Sequence, residues 1–526
     1  MKKLGLGIQE LSEFPKNNLI YVDKTEIIDS LIKSNKYCFL SRPRRFGKSL
    51  LVNTIEGIFL GNKQLFKETW IYDKWNFEEK YPVIKISLSG IGLDTYTLKE
   101  ALEIIINDIA KNYKITLKKS GYSLKFRELI IALSQKNPVV ILIDEYDKPI
   151  IDYLGKDSNR MANINREILK DFYSIIKDSD KYIKFLFITG VSKFSKVSFF
   201  SELNNLTDIT LSEKYSQITG YTEKEIVENY SDYLIKIEKK FNIDRDKLLG
   251  FIKLWYNGYS WDGKSFMYNP YSVLNLFESL SFNNYWFNSG TPTFLIKMIR
   301  EKNIDIDKFE RSFEIKRGVF DSYDLDNIDT TLLLFQAGYL TIKDKKVDPN
   351  DLSESYKLAY PNKEVKDSFY DYLIGEFTGF DKTDLFELTK GLQKELEIND
   401  IKSFILNLKT IYANIPSTIF SKENERYYHT VIYLILKLLK ADIIDIEKQT
   451  NHGRVDAVLF TKNYIFVMEF KMSSSNSALR QIKEKKYYEP YLSDKRDILC
   501  VGVAFDKEER NIKEYKTKTI SQLLDM

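Results

Sequence analysis

The sequence predicts an α/β protein with an N-terminal parallel sheet flanked by helices, a mostly helical middle region and a smaller C-terminal α/β unit. Three observations predict it. In the first 215 residues, apolar runs at 37–40, 83–88, 139–143 and 185–189 alternate with segments of helical period, the alternation that builds a parallel sheet. From 222 to about 400 the period is mostly helical, broken at Tyr256-Asn257-Gly258-Tyr259, at Tyr268-Asn269-Pro270 and at a charged turn over 343–350. After a helix near 429–440 come strands at 443–446, 455–460 and 464–471, a helix at 478–491 and a strand at 497–504. Domains are therefore expected at 1–215, 216–400 and 401–526, since 526 residues exceed what one core serves.

Composition narrows the function classes. Lys plus Arg number 79 against 75 Asp plus Glu, so a net charge of +4 argues for no polyanion or membrane surface by itself, and any basic surface must be local. The 2 cysteines, Cys38 and Cys500, lie near opposite ends, which excludes a disulfide framework and a cysteine-rich zinc site. No apolar stretch is long enough for a signal peptide or a membrane span. A cytoplasmic protein without membrane contact is expected. His429 and His452 read as structural residues, because an isolated histidine is more often hydrogen-bonded than a ligand.

The first site lies where the strand at 37–40 meets Ser41-Arg42-Pro43-Arg44-Arg45-Phe46-Gly47-Lys48-Ser49. Its Gly-Lys-Ser tail is that of a phosphate-binding loop, in which backbone N–H groups cradle phosphates, the lysine reaches the terminal ones and the serine ligates magnesium. Arg42 stands where that pattern has its first glycine, so the loop must avoid the backbone conformation a glycine there supplies. The second half is the strand Val139-Val140-Ile141-Leu142-Ile143 running into Asp144-Glu145. There Asp144 is expected to hold magnesium and Glu145 to position and deprotonate the attacking water. Thr189, ending a third apolar strand, is expected at the γ-phosphate or that water. Arg42, Arg45, Phe46, Gly47, Lys48, Ser49 and Leu50 complete the expected ATP–Mg2+ site.

These segments, with Tyr21-Val22-Asp23-Lys24-Thr25, Ile143-Asp144-Glu145-Tyr146-Asp147, Thr189-Gly190-Val191-Ser192-Lys193 and Tyr360-Pro361-Asn362-Lys363-Glu364-Val365, resemble the AAA-ATPase-like proteins of bacteria and archaea over nearly the whole chain. The resemblance implies a P-loop NTPase fold and ATP binding, and makes the arginine in place of glycine normal for the family.

The second site is Gly453-Arg454-Val455-Asp456 followed thirteen positions later by Glu469-Phe470-Lys471. A strand period of two puts Glu469 and Lys471 on one face, and the turn Thr461-Lys462-Asn463 folds the Asp456 strand back beside them. Acids ending an apolar strand cost several kcal/mol each unless a cation or partner offsets them. Two carboxylates there suit magnesium, and a lysine suits a water aimed at phosphorus. Arg480, Lys483, Lys485 and Lys486 with Lys471 suggest a local phosphate track.

The stretch 425–491 resembles the PD-(D/E)XK nuclease superfamily, a restriction-endonuclease-like fold. The resemblance implies metal acids at Asp456 and Glu469, a catalytic lysine at Lys471, a helical acid at Glu425, and Gln481 and Tyr487 on or after the following helix. Glu447 is a further candidate acid of open role. The leading expectation is an ATPase with a metal-dependent nuclease acting on DNA or RNA. A regulatory ATPase switch whose nuclease-like domain binds nucleic acid or protein without cutting stays open beside it, as does a homo-oligomer.

Overall fold

The computed structural model describes residues 1–526 apart from 155–158, 194–202, 204, 287–294, 296–297, 300–307, 322–328, 381, 416–424, 440–443, 447–448 and 451–452. The chain forms two compact units, Met1–Leu295 with Phe309–Lys366, and Ile296–Lys308 with Asp367–Met526. The stretch expected as a separate middle region, 216–400, is thus shared between them.

In the first unit five parallel strands form one sheet: β1 (Tyr37–Ser41), β2 (Val83–Ser87), β3 (Val139–Asp144), β4 (Ile183–Gly190) and β5 (Thr207–Asp208). Their order is β2-β3-β4-β1-β5. Strands β1 and β3 are buried at every position, because helices cover both faces and an unbroken apolar run is what such a strand needs. β4 lies between them, with Leu40 opposite Thr189 and Ile143 opposite Ile188, so the phosphate-loop strand and the acid-bearing strand flank Thr189. Helix α1 (Lys48–Phe59) follows β1 and sends Leu51, Val52, Ile55, Ile58 and Phe59 into the core.

The region expected to be mostly helical also contains an antiparallel sheet, β6 (Phe313–Lys316), β7 (Thr341–Val347) and β8 (Glu354–Ala359), in the order β6-β8-β7. The charged segment expected as a turn is largely β7. Its outer positions are tied by cross-strand ion pairs, Lys345 to Glu354 at 2.6 Å and Lys346 to Glu314 at 3.2 Å, in place of the apolar alternation that marks a strand.

The second unit holds a mixed sheet of order β15-β14-β13-β12-β9 and a small ribbon, β10 (Gln449–Thr450) with β11 (Gly453–Arg454). The sheet strands are β9 (Ile444–Ile446), β12 (Ala457–Phe460), β13 (Tyr464–Lys471), β14 (Asp497–Asp506) and β15 (Asn511–Thr519). β13 and β14 are parallel and the other pairs antiparallel. The crossover between β13 and β14 carries helix α2 (Ser475–Glu484), shorter than expected because a 3-10 turn, Glu489–Tyr491, takes the end of the predicted stretch. α2 lies so close to the sheet that a Cβ on Gly502 would come 2.4 Å from the Ser475 carbonyl oxygen. No described helix is long and apolar enough to cross a membrane.

Candidate functional site

The phosphate loop solves its missing glycine by moving the left-handed backbone along the chain. Arg45 (φ 66°) and Gly47 (φ 85°) adopt that conformation, and Arg42 does not. The Arg42 guanidinium is fully buried: Nη1 donates to the carbonyls of Ser41 and Thr210, both at 2.9 Å, and Nη2 to Tyr215 at 3.4 Å. It stacks 3.8 Å over the Trp261 ring. Burial pushes its pKa down to about 9, against the opposing pull of Asp208 and Asp262. This corrects the expectation that put Arg42 in the ATP–Mg2+ site: its side chain braces the loop from behind. Arg42 enters the site through its carbonyl, which with that of Pro43 accepts hydrogen bonds from Lys48 Nζ at 3.0 and 2.9 Å. The Phe46 ring is likewise an anchor, edge-on to Tyr259 at 4.7 Å and Trp261 at 5.4 Å.

At the other half of the site Asp144 is buried and shares a side-chain hydrogen bond with Ser49. Burial raises its pKa, with Ser49 and Lys48 pulling it back. Lys48 is buried too, which lowers its pKa while Asp144, Glu145 and Asp147 oppose the shift. Glu145 has φ 53°, a left-handed conformation rare for a side chain of its size and of the kind stored at functional sites. Thr189 is fully buried, and its Oγ1 has no hydrogen-bond partner among the described residues.

A cavity of about 350 Å³ opens on this loop. Of the expected residues Arg45, Gly47, Lys48, Ser49, Leu50 and Glu145 line it, with Asp144 behind Ser49, while Arg42, Phe46 and Thr189 do not. Sequence reasoning missed the other walls, which come from Gly5, Gly7, Ile8 and Gln9 and from Tyr271 and Leu274. Arg45 lies 4.9 Å over the Tyr271 ring. The one signal for that wall was the quoted Tyr268-Asn269-Pro270, which ends where the helix Pro270–Ser279 begins.

In the second unit β12 and β13 pair with Ala457 opposite Met468, so Asp456 and Glu469 meet at the open end of the ladder. Each carboxylate accepts a backbone N–H from the other's strand: Asp456 N donates to Glu469 Oε2 at 3.4 Å and Phe470 N to Asp456 Oδ2 at 2.8 Å. Glu469 is 1% exposed. Lys471 Nζ lies 3.1 Å from Glu469 Oε1, and Gln481 Nε2 donates to the same oxygen at 2.5 Å and to the Tyr487 hydroxyl at 3.3 Å. Burial, then the Asp456 charge, push Glu469 up to about 8, with Lys471 opposing. The expected residues Asp456, Glu469, Lys471 and Gln481 therefore form one cluster.

The comparisons with known proteins address both halves. Residues 5–200 match the family described as Predicted AAA-ATPase, and residues 423–515 match the PD-(D/E)XK nuclease superfamily. A protein of Azotobacter chroococcum mcd 1, named "Uncharacterized protein in vnfD 5'region", is 35% identical over 524 residues, covering 97% of this chain and 98% of that one. The chain belongs to the AAA-ATPase-like family. This AAA-ATPase-like protein also carries a PD-(D/E)XK nuclease superfamily domain, and the cluster around Glu469 falls inside it.

Glu425 opens the helix Glu425–Leu438, but its side chain lies outside the described residues, as do Glu447 and His452 altogether. His429 stands edge-on to Phe470 at 6.2 Å, a packing role. Of the suggested phosphate track, Arg480 and Lys485 are exposed, Lys486 pairs with Glu489 at 3.0 Å, and Lys483 donates to the Leu524 carbonyl at 2.7 Å.

Proposed function

We propose that this AAA-ATPase-like protein binds ATP with Mg2+ at the Lys48–Ser49–Asp144 site, hydrolyses it with Glu145, and cleaves phosphodiester bonds of DNA or RNA at Asp456, Glu469 and Lys471. The observation that carries the nuclease half is Glu469, buried beside a second carboxylate with its proton affinity raised. Such a pair is costly unless a cation neutralises it, and hard oxygen ligands suit magnesium. The donor set at the first site fits Mg–ATP equally well: a buried lysine whose hydrogen bonds among the described residues go to loop carbonyls, and a serine hydroxyl bonded to a buried aspartate.

At the ATP site the loop N–H groups and Lys48 would hold phosphate charge, Ser49 and Asp144 would hold the magnesium, and Glu145 at the cavity wall would orient and deprotonate water. The apolar wall of Ile8, Phe14, Ile20 and Leu274 suits the base. At the nuclease site Asp456 and Glu469 would hold the cation, which supplies Lewis-acid polarisation of a phosphoryl oxygen when bound. Lys471, beside Glu469, orients the water for in-line attack on phosphorus.

The test has two arms. Lys48→Ala is expected to lose nucleotide binding by calorimetry, and Asp456→Ala to lose Mg2+-dependent cleavage of DNA and RNA substrates. Nucleotide affinity unchanged in the first, or cleavage unchanged in the second, would remove the corresponding half.

A further inference from the structure

Three residues past Asp144 lies a second buried acid. Asp147 is 2% exposed, and its Oδ2 accepts hydrogen bonds from the backbone N–H groups of Val191 at 3.0 Å and Ser192 at 2.6 Å, just past the end of β4. It precedes the short helix Lys148–Ile151 but its side chain makes no capping bond to it, so helix capping does not explain the acid. Two more bonds join the same segments: Tyr146 N donates to the Thr189 carbonyl at 3.1 Å, and the Tyr146 hydroxyl to the Ser192 carbonyl at 2.8 Å. The fit is tight enough to require glycine between them. A Cβ on Gly190 would stand 2.5 Å from Asp147 Oδ1 and 2.6 Å from Tyr146 Cδ1.

What this clamp holds is the end of β4 and the Val191–Ser192 step after it, of which Val191 lines the cavity. The hydroxyls of Thr189 and Ser192 are both buried with no hydrogen-bond partner among the described residues. A buried hydroxyl without a partner is costly, which is tolerated where a ligand or water completes it. Asp147 and Val191 both line the cavity that Lys48, Ser49 and Glu145 share. Among the described residues Lys48, Glu145 and the fully buried Tyr173 interact electrostatically with Asp147. Charge and geometry therefore meet at one carboxylate, tied to β3 by the chain and to the step after β4 by two amides.

We propose that Asp147 is a positioning residue for ATP hydrolysis: it fixes the Thr189–Ser192 segment relative to Glu145, so that the wall carrying Val191 and the water-activating carboxylate keep one spacing across the cavity. It touches neither substrate nor cation in this role, and its contribution is to turnover and not to affinity. The inference rests on the ATPase reading above.

The full chain is assayed as Asp147→Ala and Asp147→Asn by calorimetry with Mg–ATP, steady-state turnover, and amide hydrogen exchange. For Asp147→Ala we expect a nucleotide Kd within about threefold of wild type, kcat lower by at least about tenfold, and exchange at the Val191 and Ser192 amides faster by at least about tenfold with β3 unaffected. Asp147→Asn, which keeps one acceptor oxygen, falls between and covers the case in which the alanine variant does not fold. Turnover within about twofold of wild type in a folded Asp147 variant overturns the proposal, as does an equal loss in kcat/KM carried by affinity alone. Wild-type protein that binds ATP without turning it over defeats the hydrolysis reading before any variant is compared, so the two failures are distinguishable.

Discussion

Restoring the glycine that the phosphate loop lacks is expected to damage this protein. In Arg42→Gly the guanidinium's bonds to the Ser41, Thr210 and Tyr215 carbonyls disappear, together with its stack on Trp261. Hydrogen bonds from a charged donor contribute about 1.5–3 kcal/mol each and a desolvated cation–π contact about 2 kcal/mol, but most of this gross sum is offset by the cost of burying the cation. What survives in the difference is the set of buried carbonyls left unpaired, the void where the side chain lay, and about 0.5–1 kcal/mol of added chain entropy from glycine. A net loss of about 4 kcal/mol follows from unpaired buried carbonyls at about 1–3 kcal/mol, the unfilled void and the glycine entropy together. At roughly 2 °C per kcal/mol for a large domain, the unfolding transition of the first unit should fall by about 8 °C. Thermal unfolding followed by far-UV circular dichroism, with ATP affinity measured alongside, checks it. A variant melting within about 2 °C of wild type and binding ATP as well or better would refute the bracing role of Arg42.

Other consequences are open to the same kind of test. Because the folded-state pKa of Glu469 is raised from 4.5 to about 8, the folded protein holds a proton the unfolded chain releases, so this residue's contribution to stability falls as pH rises through that window. Glu469→Gln should therefore gain in melting temperature relative to wild type at pH 8 and lose that advantage near pH 5, and added Mg2+ should stabilise wild type only; a difference independent of pH would contradict it. Gly502→Ala places a methyl 2.4 Å from the Ser475 carbonyl and should destabilise the second unit by about 1–3 kcal/mol in urea unfolding, with α2 and Gln481 displaced from Glu469. An unchanged midpoint would mean that α2 does not seat as described.

How much was legible in the sequence follows from burial. β3 and β13 are covered on both faces, so their apolar runs announced them, and the acids ending or interrupting those runs stood out as Asp144 and Glu469, with Asp456 just ahead of β12. β7 and β15 have charged outer positions satisfied by ion pairs and solvent, leaving no apolar period to read. Arg42 misled for the opposite reason: arginines are rarely fully buried, and nothing in the loop's own sequence announces that Trp261 and the Thr210 and Tyr215 carbonyls wait behind it. The wall from Gly5 to Gln9 was silent because its two glycines and backbone atoms carry no chemical signature. Asp147 lay within a quoted motif, yet its function depends on the amides of Val191 and Ser192, some forty residues away and brought near only by β3 pairing with β4.

The claim on which the nuclease account stands is that Asp456 and Glu469 are tolerated together because a divalent cation joins them. Crystals grown with Mn2+ and measured for anomalous scattering test it most directly. The account predicts a peak about 2.1 Å from an oxygen of each carboxylate, with Lys471 Nζ still beside Glu469. Density showing both acids in their amide and lysine contacts with no anomalous peak between them, at millimolar Mn2+, would contradict it.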